Sequence, residues 1–347
     1  MPQLPIPADL ETLAQEILSA RKYRSLGITP ATVVDLLAKE LLLHHNQKEA
    51  VKEVRRKLHN IVADYLGDAD FASAGQQMEE AIHSGDPAQV RKVCAEILSS
   101  HASTRERLSI LDEFYPRLFA LIGLPSLQKG RPQTILDLAC GLNPFSFPWM
   151  GLPVTTRYYA YDINQPRVDF INRFFTLLGM PPLAEAEDIL VHPPQIAADV
   201  AFFFKEAHRF EQRQHGCNLA FWQALQVRWL LVSLPTSSLT GRHSLVDGHR
   251  RLVYNILAGL SSQGSQSWQV TEVLFANEIV FCIDKGGSNL RLIQKDGDCF
   301  VAKPPRNDVR AESACHCEPP APCFRGASAK QSQRVPGRLL RRRASSQ

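Results

Sequence analysis

No apolar run in the 347-residue chain reaches the roughly 18 residues that a membrane-spanning helix requires, so no membrane partner is expected. The opening MPQLPIPADLETLAQ lacks the charged-then-apolar layout of a secretion signal. The eight cysteines follow no short regular spacing, which argues against a disulfide-stapled scaffold and for reduced thiols in a cytoplasmic protein. A basic body is missing too. Residues 1–284 carry 26 Lys and Arg against 30 Asp and Glu, whereas residues 285–347 carry 13 against 5. The net charge of +4 therefore belongs to the tail. Any nucleic-acid surface in the body has to come from local clustering.

What is present is an ordinary globular composition, 44% hydrophobic and 21% charged. The length fits two domains and an appendage at about 100–200 residues per domain. Residues 1–125 read as helices. Thr29-Pro30 and Asp86-Pro87 are cap and first-turn signals ahead of Ala31–Leu43 and Ala88–Leu98. Lys48–Leu66 places Val51, Val54, Leu58, Ile61, Val62 and Tyr65 at helical spacing. Residues 104–122 do the same with Leu108, Leu111, Phe114, Leu118 and Leu121. This stretch predicts a helical domain or a pair of small bundles.

Near residue 131 the pattern changes. Strands are predicted at Gln133–Ala139, Arg157–Tyr161, Asp199–Phe204 and Arg228–Leu234, with helices at Val168–Leu178 and Leu245–Leu260. Trp268–Leu274 and Glu278–Ile283 form a closing hairpin. The alternation predicts an α/β fold with a doubly wound, mostly parallel sheet and an antiparallel edge. Beyond Lys285 the composition is that of a disordered tail. Cys315, His316, Cys317 and Cys323 lack the second knuckle of a zinc site, and no metal is expected.

The segment Ile135-Leu136-Asp137-Leu138-Ala139-Cys140-Gly141-Leu142-Asn143-Pro144 carries the chemistry. A first strand ends in an acid and then a turn of small residues, where a doubly wound fold binds nucleotide-like ligands. Small residues let the backbone approach such a ligand closely. Asp162 closes the second strand, 21 residues after Gly141, a spacing that suits a carboxylate on a ribose diol. Asp188-Ile189 follows a short third strand and offers an acceptor and an apolar surface for an adenine. The plainer readings are a helix cap for Asp162 and a solvated loop acid for Asp188. A dinucleotide and S-adenosylmethionine both fit this much. The third glycine of the dinucleotide fingerprint is absent, and the antiparallel last strand pair favours a methyltransferase.

The stretch DLACGLNPFSFPWMGLP followed by YYAYDIN resembles the aminoglycoside-resistance 16S rRNA methyltransferases, which modify N7 of guanine 1405 in the decoding site. HASTRERLSILDEFY, DVAFFFKEAHRFEQ and SLPTSSLTGR extend the resemblance over residues 10–284. It implies a class I (Rossmann-like) S-adenosylmethionine-dependent methyltransferase domain at 126–285 and an all-helical rRNA-docking domain at 1–125; the disordered basic tail at 286–347 has no counterpart in that family. The implied substrate is 16S rRNA within the 30S subunit, and a monomer is the default. Arg107 would hold the carboxylate of the cofactor's methionine part. Ala139 and Gly141 would let the backbone pass, Asp162 would bind the ribose, and Asp188 with Ile189 the adenine. Lys205, Arg242 and Glu278 would serve the target side. Lys52, Arg55, Arg56, Lys57 and His59 would touch rRNA phosphates, as part of a basic face on 45–60 and 90–107 with the acids turned away. Glu206-Ala207-His208 departs from the family's usual apolar segment after Lys205. This keeps open a related enzyme with another RNA position or substrate, and a homologue that binds RNA without catalysis.

Overall fold

Proline-led starts organise the helices, because proline has no N–H to leave unpaired in a first turn. The computed structural model describes residues 7–24, 26–44, 46–62, 70–124, 132–237, 243–262 and 268–286, all in the first of two units, Met1–Ala302. Among the described residues, seven α-helices come first: α1 (Pro7–Ser19), α2 (Pro30–Leu43), α3 (Gln47–Val62), α4 (Phe71–His83), α5 (Pro87–Ser100), α6 (Ala102–Arg105) and α7 (Leu111–Ile122). The Asp70 and Asp86 side chains accept from the N–H of Ala72 and Ala88 at 3.1 and 2.9 Å; such a cap is worth about 1 kcal/mol. The end of the helix expected over Lys48–Leu66 lies outside the described residues.

The helix expected over 104–122 is not continuous. A 3-10 turn at Leu108–Ile110 separates α6 from α7. Thr104 Oγ1 turns back to the carbonyl of Leu98 at 2.6 Å, and Arg107, at the break, enters a buried ion pair with Glu278. Pro116 within α7 also cannot donate to the carbonyl four residues back. Leu121, expected inside, is 40% exposed.

The remaining elements are β1 (Thr134–Leu138), α8 (Phe147–Met150), β2 (Arg157–Asp162), α9 (Gln165–Leu177), β3 (Ala184–Ala186), β4 (Ala198–Phe204), α10 (Ala207–Arg213), α11 (Cys217–Ala224), β5 (Val227–Pro235), α12 (Val246–Ser262), β6 (Gln269–Leu274) and β7 (Glu278–Asp284). The sheet order is β3-β2-β1-β4-β5-β7-β6. The first five strands are parallel, and β7 runs antiparallel to both neighbours. Successive residues alternate between two cores, as the strand period requires. Ile135, Tyr158, Phe202 and Val280 pack under α4, α5, α7 and α9. Leu136, Tyr159, Phe203 and Phe281 pack under α10, α11 and α12.

Helices α1–α3 have a core of their own, built on Ile17, Val33, Leu36, Val54 and Leu58. Helices α4, α5 and α7 instead share the sheet's core through Met78, Ile97, Phe114 and Leu118. The helical stretch is thus two packing units, one of which covers the sheet. The α1–α3 bundle joins the sheet end through main-chain bonds. Thr29 N–H donates to Ile163 O at 3.0 Å, and Gln165 N–H donates to Gly27 O at 2.9 Å. Gly27 has φ +54°, and a Cβ there would meet Pro166 Cδ at 2.6 Å, so no other residue fits this seam without a shift.

Candidate active site

Parallel strands that diverge to opposite sides leave a crevice at their carboxyl ends. Here β1 lies between β2 and β4, and that crevice opens above it. Among the described residues, two non-glycine residues have positive φ, and both lie here: Ala139 after β1 (+52°) and Lys205 after β4 (+60°). Such strain costs about 1–3 kcal/mol per residue and clusters at functional sites. Gly141 adds a third left-handed turn (φ +54°). Ala139 and Gly141 line a cavity at this point, as do Phe204 and Glu206 on either side of Lys205.

Arg107, Ala139, Gly141, Asp162, Asp188 and Ile189 all line this cavity. Asp162 is not the helix cap. Asn164 is, its side chain accepting from Arg167 N–H at 2.9 Å. The Asp162 carboxylate accepts from Gly141 N–H (3.1 Å), Arg167 Nη1 (2.9 Å) and Asn164 N–H (2.9 Å). A carboxylate has about four acceptor sites, so room is left for one hydroxyl; taking both of a diol would displace a protein donor. Asp188 is buried, not a solvated loop acid. Thr32 Oγ1 donates to it at 2.7 Å, Leu190 N–H at 3.1 Å and Arg213 Nη1 at 2.7–3.0 Å. Ile189 is buried beside it and packs against the α10–α12 side of the sheet.

Arg107 is sandwiched between Phe114 and Phe204, each ring centre 4.5 Å from its guanidinium carbon. Its Nε and Nη2 donate to Glu278 at 3.1 and 2.6 Å, and Nη1 donates to Asn143 Oδ1 at 2.7 Å. Lys205, 7% exposed, donates to Glu106 Oε2 at 2.6 Å and to the Ser103 carbonyl at 2.9 Å, and stands 3.8 Å from Glu278. Burial drives the Glu278 carboxyl upward, but Arg107 and Lys205 outweigh it and hold the group below the usual range. The expected target-side pair Lys205 and Glu278 therefore points inward and braces Arg107. Arg242 lies outside the described residues.

Beneath the turn, Asp137 accepts from Asn143 Nδ2 (2.9 Å) and Tyr158 OH (2.7 Å). Burial pushes its carboxyl up to about 7 against these donors. A raised acid favours the protonated folded state. Its contribution is fully present below about pH 4 and is lost as pH rises through about 7. Asp137→Asn does not titrate. Wild type should therefore lose on the order of 3 kcal/mol relative to this variant between pH 4 and pH 8, checked by urea midpoints at both pH values. Burial likewise pushes the Cys140 thiol well above its ordinary range, which fits a packing role rather than a nucleophile.

The five basic residues expected to touch rRNA lie on α3 and divide in two. Arg56 is held by Glu53 (2.5–3.0 Å), Lys57 by the buried Glu40 (2.6 Å), and His59 Nδ1 lies 2.9 Å from Lys22 Nζ. Lys52 and Arg55 are exposed, share a face with Lys48, and have no carboxylate partner among the described residues. Glu49 and Glu96, within the stretches expected to form the basic face, are exposed as well.

Sequence reading missed Thr32, Arg167 and Arg213, which hold the two site carboxylates. No local spacing announces them; Thr32 and Asp188 are 156 residues apart. S-adenosylmethionine fits these residues: acids for ribose and adenine, a buried guanidinium for a carboxylate, and apolar walls from Ile163, Ile189 and Phe204. Arg213 Nε is buried with no partner among the described residues, which leaves a donor to spare at the cavity.

Both the sequence and the fold resemble those of known proteins. The family model described as ribosomal RNA methyltransferase (FmrO) matches residues 19–282. The chain is 31% identical over 280 residues to a 16S rRNA (guanine(1405)-N(7))-methyltransferase of Micromonospora rosea, covering 80% of this chain and 97% of that one. It is 34% identical over 226 residues to one of Serratia marcescens, covering 65% and 80%. Among solved structures it resembles the 16S rRNA methylase RmtB with a TM-score of 0.60 at 26% identity, covering 80% of this chain and 98% of that one. RmtF, solved in complex with S-adenosyl-L-homocysteine, gives a TM-score of 0.60 at 26% identity, covering 79% and 97%. The chain belongs to the ribosomal RNA methyltransferase (FmrO) family.

Proposed function

We propose that this protein transfers the methyl group of S-adenosylmethionine to N7 of guanine 1405 of 16S rRNA. The reading extends to the 30S subunit as substrate, a cytoplasmic monomer as the working form, and aminoglycoside resistance as the result. The observation that carries it is the convergence of Arg107, Asp162, Asp188 and Ile189 on one cavity at the switch point of the sheet, in a chain of this family.

When bound, the cofactor supplies a methyl group on a positively charged sulfur. Guanine N7 already presents a lone pair, so no general base is needed, in keeping with the raised thiol of Cys140. The chain's task is to bind and align. Arg107 would take the cofactor's carboxylate with the N–H groups that Glu278 and Asn143 leave free, since a guanidinium has five donors. Glu278 and Lys205 would hold that guanidinium in place. Arg242 would contact the target nucleotide. Growth on kanamycin and gentamicin tests the function: resistance to both in a susceptible bacterium is expected of wild type and not of Asp162→Asn.

Docking would run through α3, whose exposed Lys52 and Arg55 suit rRNA phosphates. Lys52→Glu with Arg55→Glu should weaken binding to 30S subunits and lower the salt slope by about 2, since each phosphate neutralised adds about one to it. Affinity for S-adenosylhomocysteine should not change. Filter binding across a salt series and calorimetry check the two halves.

A further inference from the structure

Helix α2 lies outside the sheet, yet it grips a carboxylate of the site. Thr32 is fully buried, and its hydroxyl donates to Asp188 Oδ2 at 2.7 Å. Arg213 ties the same carboxylate to the same helix. Its Nη1 lies 3.0 and 2.7 Å from the two Asp188 oxygens, and its Nη2 lies 3.1 Å from Asp35 Oδ2. The α1–α2 turn is bonded through Thr29 to Ile163, next to Asp162, and α3 brings Ile61 to the cavity wall. The bundle is thus a wall of the cofactor site as well as a surface.

We propose that Thr32 is a positioning residue for the cofactor: it fixes the plane of the Asp188 carboxylate so that one oxygen meets the 6-amino group of adenine. This rests on the reading of Asp188 as the adenine acceptor. Leu190 N–H holds Oδ1 and the Thr32 hydroxyl holds Oδ2, each from an anchored donor. Arg213 Nη1 straddles both oxygens in a three-centre contact, and half of that contact is what an incoming amino group displaces. Without the Thr32 hydroxyl, the carboxylate is free to turn into a two-pronged pair with Arg213, which withdraws the acceptor.

The test titrates the full chain calorimetrically with S-adenosylhomocysteine and with S-inosylhomocysteine, whose base carries an oxygen in place of the amino group. Wild type should prefer the adenosyl compound. Thr32→Val removes the hydroxyl at nearly constant shape, and should weaken adenosyl binding about tenfold, the scale of one hydrogen bond to a charged group. Inosyl binding should stay nearly unchanged, so the preference collapses, and Thr32→Ser should restore it. Equal weakening of both compounds, or an unaltered preference in Thr32→Val, overturns the proposal. A wild type that does not distinguish the two compounds defeats the reading of Asp188 itself, and the role of Thr32 falls with it. Should Thr32→Val not fold, Thr32→Ala is read by the same comparison.

Discussion

Arg107→Met should lower stability by about 3 kcal/mol and abolish methyl transfer. The stability loss comes from Glu278, which is fully buried and holds its charge because two N–H groups of Arg107 reach it at 3.1 and 2.6 Å. Removing one partner of a buried pair typically costs about 3–5 kcal/mol; Lys205, 3.8 Å away, compensates in part and sets the lower figure. Adding Glu278→Gln to Arg107→Met should recover much of the stability and none of the activity, since the orphaned charge is gone but the guanidinium is still missing. Urea midpoints at constant slope measure the first, and methyl incorporation measures the second. Recovery of activity in the double variant would show that Arg107 only supports the fold.

Asp162→Asn should weaken S-adenosylhomocysteine binding by about a hundredfold, on the order of 3 kcal/mol, the upper scale for a charged hydrogen bond in a closed site. Asparagine is more informative than alanine because it perturbs folding less. Alanine would leave Arg167, with no exposed surface, facing an empty site, along with the N–H groups of Gly141 and Asn164. Asparagine keeps the shape and one acceptor oxygen for these donors, but it removes the charge that faces the buried Arg167 and turns an NH2 toward the other donors, so it should lower stability too, by less than alanine. Calorimetry gives the affinity, and a melting curve without ligand separates it from stability.

Much of the site was legible because its chemistry is local. A strand, a carboxylate and a small-residue turn put Asp137, Ala139 and Gly141 within five residues, and the step of 21 residues to Asp162 follows from one turn, one short helix and one strand. The sheet was legible for the same reason: buried parallel strands read as short apolar runs. Side-chain direction was not. Lys205 and Glu278 carry charges, and a charge at a strand end reads as solvent- or target-facing. Their mutual pairing with Arg107 depends on contacts spanning 73 to 171 residues, beyond any local pattern. The break at Leu108–Ile110 was hidden by an unbroken helical period, which tertiary context overrides. The sharing of one core by α4, α5, α7 and the sheet was equally hidden, since an amphipathic helix shows that it has an apolar face and not what that face meets.

The proposed product carries one methyl group on one atom of one nucleotide. Purified 30S subunits treated with the full chain and S-adenosylmethionine, then with borohydride and aniline, should break at guanine 1405 and give a single new primer-extension stop there. Asp162→Asn should give none. Robust methyl incorporation without cleavage at guanine 1405, or cleavage at another guanine, would rule out that target and leave the same fold acting on a different one.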